Sequence, residues 1–155
     1  VFGKKIPSVE KITLSETWLM IAIDSTSKNK KSGHITREQL LALRKLIENN
    51  RNKNLLICLH HQPIKMGFWI DQVGLENADQ FITSIANQSN IKAVLWGHVH
   101  HESESKLKSI KMLSTPSTCY QFCGNAQKPD TNKPGYRKIN LFESGKIETE
   151  VVRID

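Results

Sequence analysis

Three histidines fall within four residues in "VLWGHVHH", Val94 to His101, and two more are adjacent in "LLICLHHQP", at His60 and His61. Five of the six histidines in the chain therefore end two apolar runs. A neutral imidazole offers a lone pair that suits zinc, iron, manganese and similar cations. In "GHVH" the rings of His98 and His100 converge only where the backbone turns sharply, and Gly97 is expected to supply the unusual dihedrals. His60 offers a third nitrogen from a neighbouring strand end. Three neutral nitrogens leave the charge of a divalent ion uncompensated, so carboxylates or bound phosphate are expected to complete the set. A single loop histidine is ordinarily a surface residue, and His34 is read as one. For His61 and His101 the expected roles are to support the ligands, to face substrate, or to lie on the surface.

These side chains need elements to position them. "WLMIAID", Trp18 to Asp24, is a continuous apolar run, the pattern of a strand buried on both faces. Thr36 with Gln39 three residues on forms a capping box, and Leu40, Leu43, Leu46 and Ile47 then repeat at helical spacing to about Asn49. "NLLICL" from Asn54 reads as a second strand, Leu75 to about Asn87 as a second amphipathic helix, and "KAVLW" from Lys92 as a third strand. The order β-α-β-α-β predicts an α/β fold with parallel strands and right-handed crossovers. Both histidine clusters then lie just past strand C-termini, where open α/β sheets bind ligands. Beyond them "SESKLKS", "IKMLSTPS", "YRKINLF" and "KIETEVVRI" read as an antiparallel β region, with a hairpin turn at "ESG".

A chain of 155 residues, 38% hydrophobic and 24% charged, is the size and composition of one globular domain. Its apolar runs are far short of a membrane span, and a cytoplasmic location is the simplest expectation. Cys58, Cys119 and Cys123 are odd in number and lack paired CxxC spacing, which argues against a disulfide framework or a structural zinc finger. Cys119 and Cys123 stay open as a less favoured ligand or redox pair. The net charge of +7 is spread along the chain. Its densest cluster, around Lys28, Lys30 and Lys31, lacks interleaved aromatics, so a solvated loop is preferred over a nucleic-acid surface.

"LHHQP" followed about 35 residues later by "GHVH" resembles the last two metal-binding motifs of the calcineurin-like metallophosphoesterases. "HHQPIKMGFWIDQVGLENADQF", "LWGHVHHE", "LSTPSTCYQF" and "PGYRKINLFESGKIETEVVRI" resemble, in order and spacing, the bacterial class III cyclic AMP phosphodiesterases, from about Trp18 onward. The resemblance implies the C-terminal part of a four-layer αββα sandwich. It also implies hydrolysis of a phosphodiester, such as a 3',5'-cyclic nucleotide, by hydroxide activated at two metals, drawn from iron, manganese or zinc. On that resemblance His60 and His98 hold one metal and His100 the other; His60 is preferred to His61 because it comes first after the strand. His61, His101 and Cys119 are the substrate-side candidates. Cys119, Tyr120 and Gln121 either line the site or belong to a strand beneath it.

The family's earlier motifs, Asp-x-His, Gly-Asp and Gly-Asn-His-Asp, find no counterpart here, and with them go the bridging carboxylate and the catalytic histidine. Asp24 resembles a downstream position and is read as structural or as supporting a ligand. The chain is therefore expected to be one domain's C-terminal part, cut after the Asn-His motif. Alone it is expected to be inactive, to bind one metal or none, and to self-associate over the apolar face that the missing half would cover. The alternatives are a non-catalytic metal-binding or interaction module and, more distantly, a basic nucleic-acid binder.

Overall fold

The computed structural model describes residues 8–122 and 129–155. The expected β-α-β-α-β unit is present: β2 (Trp18–Ile23), α1 (Arg37–Asn49), β3 (Asn54–Leu59), α2 (Ala78–Ile85) and β4 (Ile91–Trp96). β1 (Val9–Thr13), β5 (Ser103–Leu107) and β6 (Ile110–Ser114) complete a six-stranded sheet in the order β1-β2-β3-β4-β6-β5. β2, β3, β4 and β6 run parallel, with β1 and β5 antiparallel at the two edges. β7 (Gly135–Leu141) and β8 (Ile147–Arg153) form a separate antiparallel hairpin, turning at Gly145, whose φ of 84° favours glycine.

The apolar strands are buried on both faces because two different layers cover them. Leu19, Ile21 and Ile23 of β2, with Leu55, Ile57 and Leu59 of β3, pack under α1 and α2, where Leu40, Leu43, Ile47, Phe81 and Ile85 meet them. Trp18, Leu56, Ala93 and Leu113 face the opposite way and pack on Ile147, with Ile139 and Leu141 beside them. Two polar ties hold that hairpin to the sheet. Trp18 Nε1 donates to the Phe142 carbonyl at 2.7 Å, and the Arg137 guanidinium donates to the carbonyls of Ser114 and Ser103. The result is helices, sheet and hairpin in three successive layers, the α/β architecture expected from the strand and helix order.

Three expectations need correction. β6 joins the sheet parallel to β4 and is not part of a wholly antiparallel region, although β5–β6 and β7–β8 are antiparallel pairs. β1 was not anticipated: "VEKIT" is almost entirely exposed and carries no strong alternation. The second helix starts at Ala78, not Leu75, because the backbone before it is engaged elsewhere. Leu75 N–H donates to the Gln62 carbonyl, and Asn77 bonds Ile35 through both its side-chain oxygen and nitrogen. α1 begins as expected, with Thr36 accepting from Gln39 N–H and the Gln39 side chain accepting from Thr36 N–H.

This topology fixes the site. Ile23 pairs with Leu59, Leu59 with Trp96, and Trp96 with Ser114, so four parallel strands end level with one another. The residues that follow each end, Asp24, His60, Gly97 and Thr115, are thereby set side by side along one edge of the sheet.

Candidate metal centre

His60, His61 and His98 meet at that edge, with ligand-capable atoms within 4.8 Å of one another. His98 Nδ1 lies 3.2 Å from His60 Nε2. Two imidazole nitrogens that share a cation at about 2.1 Å, at angles between octahedral and tetrahedral, lie about 3.0 to 3.4 Å apart. The observed separation fits that edge. The second ring nitrogen of His98 is buried and makes no hydrogen bond, though the Val73 carbonyl favours a proton on the ring. A ring that ligates through one nitrogen commonly points its other N–H at a backbone carbonyl.

The backbone at "GHVH" is unusual, but not where the sequence places the turn. Gly97 does not adopt a positive φ; His98 and His100 do, at 60° and 46°. Val99 N–H donates to the Gly97 carbonyl at 2.6 Å, so Gly97, His98 and Val99 form a γ-turn of the rare positive-φ kind, strained for any residue with a side chain. Val99 is fully buried and anchors the turn between the two histidines. Histidine is among the residues that tolerate this region, so the ligand-type residue takes up the strain itself.

His61 differs from its neighbours. Its Nδ1 is 2.8 Å from Ser25 Oγ and its Nε2 is 3.1 Å from the Lys31 carbonyl. A carbonyl only accepts, so Nε2 carries the proton and Nδ1 accepts from the serine hydroxyl. Both nitrogens are therefore engaged, and His61 is buried at 5% exposure. Gly33 packs so closely on this ring that a Cβ there would approach it to 2.5 Å. His61 thus clamps loop 25–34 against the histidine edge.

His100 lies outside the three-histidine group. Its Nδ1–H donates to the Tyr120 carbonyl at 2.9 Å and its ring stacks on Phe122 at 4.1 Å, which leaves Nε2 as its available lone pair. The stretch after β6 therefore does reach the histidine loop, but through Tyr120 and Phe122. Cys119 is exposed, with its N–H donating to Ser117 Oγ. Cys123 lies outside the described residues. His101 is half-buried, its ring edge-on to Phe68 at 6.1 Å, and His34 is exposed. Asp24 accepts from the Thr26 N–H and hydroxyl, a turn-forming role. Asp71 likewise accepts from the N–H groups of Met66 and Gly67.

The electrostatics keep the cluster neutral. Burial, then the neighbouring His61 and His60, push His98 down to about 4. Burial and His100 lower His60, and burial and His60 lower His61, against a smaller opposing pull from the Lys31 carbonyl and Asp24. Neutral imidazoles are the form that ligates metal. Among the described residues no carboxylate joins the group.

Over 153 residues, 97% of its length, the chain is 34% identical to the 3',5'-cyclic adenosine monophosphate phosphodiesterase CpdA of Vibrio vulnificus. It is 33% identical to the protein of that name from Escherichia coli K12 over 96% of its length, and 31% identical to that of Pseudomonas aeruginosa over 95%. The chain is thus similar to cyclic AMP phosphodiesterases along nearly all of its own length. It spans about half the length of these relatives, 55 to 56%. No family model matches it. Its fold is that of the dimetal phosphatases: a dimetal phosphatase from Danio rerio superposes with a TM-score of 0.62 at 9% identity, over 95% of this chain and 60% of that one. GAP50, described as the anchor in the inner membrane complex of Plasmodium, superposes at 0.59 with 11% identity, over 96% and 50%.

Sequence reasoning could locate both histidine clusters at strand ends because each follows an apolar run. It missed Ser25, Gly33, Trp69 and Phe122, which come to the site from distant stretches and carry no local pattern of their own.

Proposed function

We infer that the chain is the metal-holding C-terminal part of a phosphodiesterase acting on 3',5'-cyclic nucleotides such as cyclic AMP, the substrate named for its relatives. The observation that carries this reading is the 3.2 Å approach of two neutral imidazoles at adjacent strand ends, His60 after β3 and His98 on the strained turn after β4. His60 and His98 hold one ion between them, and His100, oriented by the Tyr120 carbonyl, offers Nε2 to the second. Two such ions, whether iron, manganese or zinc, would stabilise the attacking and leaving oxygens of a phosphoryl displacement. His61 keeps loop 25–34 in place and so sets the position of Lys31 at the rim.

Carboxylates that balance the metal charge come from a segment outside this chain. The 155 residues therefore bind metal weakly and turn over poorly until that segment is supplied, in a cytoplasmic protein that pairs with copies of itself when the complementary half is missing. The absence of any carboxylate from the cluster, among the described residues, is also what a non-catalytic metal-binding module would show.

The deciding experiment is hydrolysis of cyclic AMP in manganese buffer. The chain is assayed alone and after co-expression with the amino-terminal half of the Escherichia coli relative, with a His98→Ala version of each. Turnover that arises only on pairing and disappears in His98→Ala supports the enzyme reading. Tight pairing without turnover, under conditions where the intact relative is active, favours the module.

A further inference from the structure

A cavity of about 500 Å³ opens beside the histidines, within the size range of small-molecule sites. Its lining includes the polar side chains of His60, His98 and Lys31 and the apolar ones of Trp69, Val73 and Phe122. Metal ligation and phosphate binding require only the polar side chains. Trp69 sits on a short 3-10 turn, Trp69–Val73, whose last residue meets the His98 ring. It packs edge-on to Phe122 at 5.1 Å, and Phe122 in turn stacks on His100. The turn and the stack tie this aromatic pair to both ends of "HVH".

Trp69 is also anomalous by exposure. Trp18 and Trp96 are 2% and 1% exposed, whereas Trp69 is 52% exposed although it lines the cavity. Loop tryptophans of this kind present a rigid, flat, apolar surface at low entropic cost. An aromatic wall next to a cluster of ligand nitrogens suits a substrate with a flat π-face joined to an anion, and a nucleotide has both.

We propose that Trp69, braced by Phe122, is the wall on which the base of a nucleotide substrate stacks while its phosphate lies at the histidines. This rests on the phosphodiester reading above and adds a specificity residue to it. Trp69 is a binding residue here; it takes no part in bond making.

The test is equilibrium binding of adenosine 5'-monophosphate, adenosine and ribose 5-phosphate to the 155-residue chain in zinc buffer, by dialysis and by tryptophan emission. Adenosine 5'-monophosphate and adenosine are expected to quench the emission, because Trp69 is the exposed indole, and ribose 5-phosphate to bind without quenching. Trp69→Ala should weaken the monophosphate about tenfold or more, the scale of base–aromatic stacking, and leave ribose 5-phosphate unchanged. Trp69→Phe should retain most of the affinity, which separates loss of a stacking face from loss of fold. Equal affinity for the two phosphates, or an equal loss of both in Trp69→Ala, overturns the proposal while leaving the metal site intact. Binding of adenosine together with failure of ribose 5-phosphate to bind supports the wall and counts against the phosphodiester reading. Failure of all three to bind overturns the wall, and zinc titration of the same sample shows separately whether the metal site stands.

Discussion

His98 Nδ1 lies 3.2 Å from His60 Nε2, at the level ends of two adjacent parallel strands. Neutral imidazoles at that distance share either a proton or a cation. Burial favours neither ring as imidazolium, and the second nitrogen of His98 is shut away from water without a hydrogen bond. The fold therefore maintains an arrangement whose stability depends on what lies between the two rings.

In metal-free buffer this arrangement makes folding pH-dependent. His98 is held near 4, and His60 and His61 below their ordinary value, all chiefly by burial. In the unfolded chain the three titrate near pH 6.5. Between about 6.5 and 4 the unfolded state binds more protons, so stability falls as pH drops through that window and levels off above it. Urea midpoints at pH 7.5 and 5 should show the decrease. A smaller decrease is expected in His98→Asn, which tolerates the positive φ, and an unchanged pH dependence in that variant would contradict the assignment.

The clamp at His61 gives a second expectation. Ser25 is 1% exposed, and Ser25→Ala removes the donor that satisfies His61 Nδ1, at a cost of about 1–3 kcal/mol. Gly33→Ala drives a methyl group into the same ring and should cost about 1–3 kcal/mol by overpacking. Because both act on one imidazole, the double variant should fall short of the sum in chemical denaturation. Full additivity would mean that the two residues do not act through His61.

Cysteine reactivity offers a third. Burial pushes the Cys58 thiol up to about 11, whereas Cys119 is exposed. Thiolate is the reactive form, so iodoacetamide at pH 8 should label Cys119 many-fold faster than Cys58, as read by peptide mass mapping. Equal rates would show that the Cys58 face of the sheet opens readily.

Much of this was legible in the chain itself, and the reason differs by element. Strands β2, β3 and β4 announce themselves as apolar runs because both their faces are covered, and α1 through a capping box that the fold uses as written. His60 and His98 were legible because each follows such a run. β6 was harder: "IKMLS" is compatible with either strand direction, and only its partner β4 makes it parallel. The turn was assigned to Gly97 by its chemistry, yet the strain sits at His98 and His100, since the buried Val99 dictates the path. Trp69 and Phe122 are 53 residues apart in numbering, and only the fold brings their rings together.

Calorimetric titration of zinc into the metal-free chain asks whether His60 and His98 hold a metal ion between them. About one ion should bind per chain, with affinity falling at least about tenfold in both His60→Ala and His98→Ala and much less in Cys119→Ala. Zinc binding of undiminished affinity in both histidine variants would contradict it.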